Sequence, residues 1–268
     1  MRRETTGRDL AAWRPLAAAL AACHAGDGEA AVEVRSDLGP PERWPAALFL
    51  REEAAFSGLE REALRLCGPR VVDLGAGAGP HARVLQARGH EVVALEPAPG
   101  LAGILRARGV RRVVCAGTDA IPPAWADTVL ALMNGLGLAG TLRGLAPFLR
   151  AAARGLAPGG RIVADSTDLR GTGLDAGDGR REDGRYVGEA QFQLAFRGSR
   201  GAPFGFLYVD PDTLRRHAAA ADLALERVLP FPDGAFLAVL APVGGDAARA
   251  GGAAEAGGEG THTERETG

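Results

Sequence analysis

Two acidic side chains and three alternate glycines mark where this chain can do chemistry. Asp73 ends the apolar run Val71-Val72-Asp73-Leu74 and leads into Gly75-Ala76-Gly77-Ala78-Gly79-Pro80. Glu96 follows a second apolar run, Val92 to Leu95, and stands before Pro97. Alternate glycines let the backbone turn sharply and pass close to a ligand, because no Cβ intervenes. The elements that must position these groups are legible beside them. Val71 and Val72 are β-branched and suit a strand. Pro80 has its φ preset for the first turn of a helix, and Val84 and Leu85 continue at helical spacing towards Gly89. Loop, helix and strand-end acid, in that order, say more than a glycine-rich loop alone.

Three readings of the loop compete. A tight turn without a ligand is the plainest. A dinucleotide-binding fingerprint needs G-x-G-x-x-G, with a small third residue where helix and strand pack. Counted from Gly75 that position is Pro80, and the fingerprint fails. Counted from Gly77 it is Ala82, which is allowed, but the first glycine then comes too late after the strand. The third reading is D-x-G-x-G-x-G from Asp73. This resembles motif I of the class I S-adenosylmethionine (SAM) methyltransferases.

The resemblance runs over roughly 67–241. It also takes in Asp119 and the Pro158-Gly159-Gly160 turn, which is similar to the L-x-P-G-G turn common before the fifth strand of that family. The segments Met133 to Gly140, Tyr186 to Glu189 and Leu207 to Asp210 look like a bacterial branch of it. The resemblance implies SAM as cofactor, held by Asp73, Gly75, Ala76, Gly77, Gly79, Glu96, Pro97, Asp119, Ala120, Met133 and Asn134. Glu96 would accept both ribose hydroxyls. Asp119 would take the adenine amino group, and the Ala120 N–H a ring nitrogen. Met133 would be core or a wall of the cofactor pocket, and Asn134 would lie next to the transferred methyl. Asn134 is followed by Gly135-Leu136, so the N-P-P-Y motif of amino-group methylation is absent.

From residue 70 the pattern alternates. Strands are expected at 70–74, 91–95, 111–115, 127–133 and 161–165, with helices at 79–88, 98–108, 141–154 and 211–221. Strands alternating with helices make βαβ units. The expected fold is therefore α/β, a doubly wound sheet. The resemblance makes it a seven-stranded mixed sheet of order 3-2-1-4-5-7-6, closed by strands at 224–230 and 235–241. Residues 1–66 read as an N-terminal helical lid, with helices at 10–25 and 45–66, ahead of a cofactor-binding domain at 67–242. Arg51, Glu52 and Glu53 read as a solvated helix face. The stretch 166–210 interrupts the winding and reads as an inserted β-hairpin, since Gln191 to Phe196 alternates with period two. Residues 243–268 are nearly all Gly, Ala, Glu, Thr and Arg and are expected to be disordered.

Composition narrows the partners. The net charge is −2 and apolar residues make up 46%. That balance argues against a nucleic-acid partner and supports one substantial domain with appendages. All 31 basic residues are arginine, a sign of coding bias. Cys23, Cys67 and Cys115 lack metal-ligand spacing, so no metal is expected and a reducing, cytoplasmic setting fits. No signal peptide is visible, and Leu16 to Cys23 is too short to span a membrane.

The function these readings favour is methyl transfer to a small molecule. The rivals are methylation of RNA or protein, served by a local face of Arg180, Arg181, Arg185, Arg197 and Arg200, and a SAM-binding module without catalysis. No residue stands out as a general base; His81 and His217 read as packing or surface groups. Tyr186, Glu189, Tyr208 and Asp210 belong to the insert and are candidates to face substrate. The sequence leaves the oligomeric state open. Deleting 243–268 is expected to leave SAM affinity and melting temperature unchanged; a large drop in melting temperature of the truncated protein would show that the tail docks.

Overall fold

The computed structural model describes residues 7–244 apart from 176. The expected disordered tail lies outside the described residues from 245 onward. In chain order the helices are α1 (Gly7–Ala12), α2 (Arg14–His24), α3 (Ala47–Leu50), α4 (Gly58–Arg65), α5 (Pro80–Ala87), α6 (Pro99–Ala107), α7 (Leu142–Ala153) and α8 (Pro211–Ala219). The strands begin with β1 (Ala31–Ser36), β2 (Glu42–Pro45), β3 (Arg70–Leu74), β4 (Glu91–Leu95), β5 (Val113–Val114) and β6 (Ala126–Ala131). They continue with β7 (Leu156–Thr167), β8 (Glu189–Phe196), β9 (Ser199–Arg200), β10 (Phe204–Leu207), β11 (Leu223–Pro230) and β12 (Ala235–Pro242).

The main sheet has the order β11-β12-β7-β6-β3-β4-β5. The strands from β3 to β7 are parallel, and β12 and β11 close the edge antiparallel. This is the seven-stranded mixed order expected above, read from the other edge. Side chains alternate across each strand. Val72, Leu74, Val93 and Leu95 pack with α7 and α8 through Leu145, Leu149 and Leu214. Val71, Val92 and Ala94 pack with α4 and α5 through Leu59, Leu64 and Leu85. Parallel strands covered on both faces leave the loops at their carboxyl ends as the place for a ligand.

A second, antiparallel sheet has the order β10-β8-β1-β2, with β9 beside β8. The expected hairpin is therefore present, but its partner is the N-terminal segment: Glu33 pairs with Ala195 and Ser36 with Phe192. The reading of 1–66 as purely helical is corrected here. Ala31-Val32-Glu33-Val34-Arg35 alternates with period two, and Val32 and Val34 are its buried positions. The 45–66 helix is also broken. It consists of α3, a short turn and α4, because Ser57 ends the extended stretch and caps α4 in a reciprocal capping box with Glu60. The second sheet lays its apolar face on α2, with Val32, Phe192, Leu194 and Phe196 against Leu16 and Leu20.

Three strands differ from expectation at their ends, and β6 stops at Ala131 because Met133 takes left-handed backbone. β5 keeps only Val113 and Val114, since it sits at the sheet edge and pairs with β4 alone. β7 starts at Leu156, before the Pro158-Gly159-Gly160 turn. That turn is a bulge: Leu156 pairs with Ala126, and the register resumes at Arg161 opposite Thr128.

The return from the second sheet to α8 is fixed by one knot of polar groups. Asp210 accepts from the Asp212 and Thr213 N–H groups, both at 2.9 Å, and so caps α8. Its other oxygen accepts from the Tyr186 hydroxyl at 2.6 Å, and the Asp210 N–H donates back to that hydroxyl at 2.9 Å. Burial alone would raise the Asp210 pKa, but these bonds and the Arg170 charge hold it below the usual carboxylate value. A lowered pKa in the folded state adds stability above the unfolded carboxylate range and loses it as pH falls through the folded value. Asp210→Ala is expected to cost about 2–3 kcal/mol at pH 7, through the lost cap and a stranded tyrosine hydroxyl. Denaturant titration should show that deficit shrinking below about pH 4; a deficit independent of pH would refute the assignment.

Candidate active site

The glycine loop joins β3 to α5 and needs left-handed backbone at three places. Gly75, Gly77 and Gly79 have φ of +64°, +56° and +73°, values that L side chains rarely adopt. The three differ in surroundings. A Cβ on Gly79 would come within 2.5 Å of Leu105 Cδ2, so Gly79 serves helix packing. A Cβ on Gly75 would meet Leu138 at 2.9 Å. A Cβ on Gly77 would meet only the Gly75 carbonyl at 3.8 Å, and here the backbone borders open space.

Glu96 is buried just beyond β4 and ties the loop down. Its carboxylate accepts from the Gly77 N–H at 3.0 Å and from the Ala98 N–H at 2.8 Å. Burial pushes its pKa up to about 7, against the pull of those two N–H groups and helped by the Asp73 charge. Asp73 is also buried, and burial pushes it up to about 6, against the His81 charge and a bond from the Ala82 N–H. Its Oδ2 is a buried acceptor without a partner among the described residues.

The other expected residues are placed less uniformly. Pro97 is half-buried after Glu96. Asp119 is exposed on the turn Thr118–Ala120 beyond β5. The Ala120 N–H, expected to meet a ring nitrogen, instead donates to the Gly117 carbonyl at 3.1 Å. This follows from Thr118–Ala120 being a helical turn, which closes its own hydrogen bonds. Met133 and Asn134 form an elbow beyond β6, and Asp165 on β7 binds the Asn134 and Gly135 N–H groups at 3.0 and 2.8 Å.

Of the four insert residues expected near substrate, three hold the fold. Tyr186 and Asp210 bond each other, and Glu189 accepts from the Leu142 N–H at 2.8 Å at the start of α7. Tyr208 packs with other aromatic rings instead. It is half-buried beside Phe206 and Phe192, with ring centroids 5.4 and 6.5 Å away.

Sequence reasoning missed Arg51. It is not on a solvated face; its side chain is 12% exposed and paired with Glu60, which also holds His81 Nε2 at 2.7 Å. Arg51 lies 3.9 Å from the Met133 sulfur and stacks its charge over Phe56 at 5.6 Å. The available signal was the Ser57-to-Glu60 capping box, which starts a new helix at Gly58 and so denies a continuous 45–66 helix with Arg51 on its outer face. Glu52 and Glu53 are exposed as expected and pair with arginines of α5 and the turn after it.

The comparisons with known proteins agree with this geometry. Residues 72–164 match a family model described as a methyltransferase domain. A SAM-dependent methyltransferase from Bacteroides fragilis, solved with S-adenosyl-L-homocysteine, is 31% identical, with a TM-score of 0.76 over 87% of this chain and 96% of that one. The CcbJ methyltransferase of Streptomyces caelestis is 18% identical, with a TM-score of 0.56 over 70% of this chain and 94% of that one. A SAM-dependent methyltransferase from Clostridium acetobutylicum shares 10% identity and a TM-score of 0.53 over 70% and 93%. No curated sequence matches the chain. The chain belongs to the SAM-dependent methyltransferases, and its cofactor is SAM. No helix among the described residues is long and apolar enough to cross a membrane.

The residues present fit that cofactor. Gly77 leaves room for a close approach, Glu96 offers acceptor lone pairs to a diol, and the unpartnered Asp73 oxygen suits an ammonium group. Bound SAM supplies an electrophilic methyl on a sulfonium. The chain must then hold a nucleophile in line at ~3–3.5 Å and exclude water.

Both a cation and hydroxyl donors favour the ionised form of a carboxylate. SAM binding is therefore expected to release protons near neutral pH, and to tighten as pH rises from about 6 to 8 through the raised values of Asp73 and Glu96. Glu96→Ala should weaken SAM at least tenfold, because hydrogen bonds to a charged acceptor are worth about 1.5–3 kcal/mol. Calorimetry in buffers of different ionisation enthalpy measures both effects. Equal affinity in the variant would remove Glu96 from the cofactor site.

Proposed function

We propose that the acceptor of the methyl group is a small molecule. The observation that carries this reading is an aromatic cluster of the second sheet that reaches the turn after β6. Trp44 lies 6.3 Å from Phe192, and Phe192 lies 5.8 Å from Phe206. The Phe206 ring packs directly on Gly137, and the next residue, Leu138, packs on Gly75 of the cofactor loop. Contact by contact, the aromatic wall leads to the glycine loop. Apolar, aromatic walls with a few polar groups suit a small ligand.

The rival acceptors need a basic surface, and the arginines expected to supply one are largely neutralised. Arg181 and Arg185 share Asp37 at 3.0 and 2.9 Å, Arg185 also holds Asp183 at 2.7 Å, and Arg197 holds Asp27 at 2.6 Å. Polymer binding through phosphates or acidic peptides needs free positive charge. Labelled-methyl transfer from SAM into cell extract tests the reading. Label should enter the low-molecular-mass fraction and survive nuclease and protease treatment of the extract. Incorporation only into nuclease- or protease-sensitive material would overturn it.

A further inference from the structure

The elbow beyond β6 is strained. Met133 and Asn134 both take left-handed backbone, with φ of 65° and 57°. Neither is glycine, and two such residues in succession persist only where the surroundings over-determine them. Here the surroundings are two side chains of β7. The buried Asp165 carboxylate accepts from both the Asn134 and the Gly135 N–H. Thr167 Oγ1 donates to Asn134 Oδ1 at 2.8 Å. The backbone clamp fixes where the asparagine starts, and the hydroxyl fixes how its amide is turned.

An amide held by its oxygen presents its nitrogen on the other side. Asn134 Nδ2 carries two N–H donors, no described residue bonds it, and it is not among the buried orphan atoms. The side chain does not cap the turn that it begins. Leu138, at the far end of the turn that Asn134 begins, packs on Gly75 of the cofactor loop. Strain, a two-sided clamp and a free donor thus coincide at the carboxyl end of a central strand.

We propose that Asp165 and Thr167 are positioning residues that present the Asn134 amide N–H to the acceptor atom, and that this atom is an ionised oxygen of a phenolate or carboxylate. The inference rests on the small-molecule reading above. A neutral amine has one lone pair, which must stay free for attack, so a donor there would oppose it. An oxygen anion keeps a lone pair for the methyl while another accepts the N–H. It also needs no general base, and His81 is already engaged by Glu60. In the step itself the oxygen lone pair forms the O–CH3 bond as the C–S bond breaks. The pair of the C–S bond stays on sulfur, the sulfonium becomes a thioether, and the acceptor loses its negative charge. No proton has to leave.

The test uses 4-nitrophenol, whose phenolate is coloured, with the full chain saturated in S-adenosylhomocysteine. The bound probe should ionise about one pH unit below the free probe, because a donor to the charged form favours it. Asn134→Ala should abolish the shift. Thr167→Val should shrink it at least threefold, and Thr167→Ser, which keeps the hydroxyl, should restore it. A purely structural role for Thr167 would not move the probe. Asp165→Asn should shrink the shift as well; where that variant does not fold, the Thr167 pair decides. An unshifted probe, a shift that survives Asn134→Ala, or failure of the probe to bind overturns the inference. Binding of 4-nitroaniline but not 4-nitrophenol removes the oxygen assignment and leaves the small-molecule reading standing.

Discussion

Three carboxylates are buried where three of the central parallel strands end, and the rest of the site depends on how they are kept there. Asp73 belongs to β3, Glu96 follows β4 and Asp165 belongs to β7. Burying a charge is expensive unless it is compensated, and none of the three has an arginine partner among the described residues. Backbone N–H groups do the work instead. Glu96 takes them from Gly77 and Ala98, Asp165 from Asn134 and Gly135, and Asp73 from Ala82. The contacts that offset the charge therefore also shape the loops. The compensation is incomplete, and all three pKa values rise, to about 6, 7 and 6 for Asp73, Glu96 and Asp165. A cationic ligand beside such carboxylates would favour their ionised form.

The main sheet was legible because its signals are local. Val71 to Pro80 contains strand, turn and helix start within one stretch. Glu96 was legible as the acid at the next strand end. The strand order came from the family resemblance, and the pairings bear it out. The second sheet was not legible as a unit, because its pairing is non-local. Glu33 pairs with Ala195 across most of the chain. Each half shows some period-two pattern, but nothing in either half names the other.

Side chains whose partners lie far off in sequence were misread for the same reason. Glu189 looked like a free polar group in a hairpin, yet it accepts from the Leu142 N–H at the start of α7, 47 residues away, whereas Asp210 caps α8 through its own neighbours Asp212 and Thr213. Arg51 looked like one charge in a solvated run, yet it closes a buried chain through Glu60 to His81 on α5. Glu60 shows how far that closure goes. Burial would raise its pKa, but the His81 and Ser57 bonds and the charges of His81 and Arg51 bring it down to about 2.

Joining the N-terminal segment to the insert has a consequence for the site. β1 and β2 alone form a two-stranded ribbon, and β8 to β10 a small hairpin; isolated hairpins are marginal in water. Together they make one sheet with a buried apolar face on α2. α2 in turn packs on α6, where a Cβ on Gly100 would meet Ala17 at 2.8 Å. α6 follows directly on the turn that Glu96 fixes through the Ala98 N–H. The aromatic cluster of the second sheet and Glu96 are thus joined by one packed path: Phe206 and Phe192, then α2, α6 and the turn at Glu96.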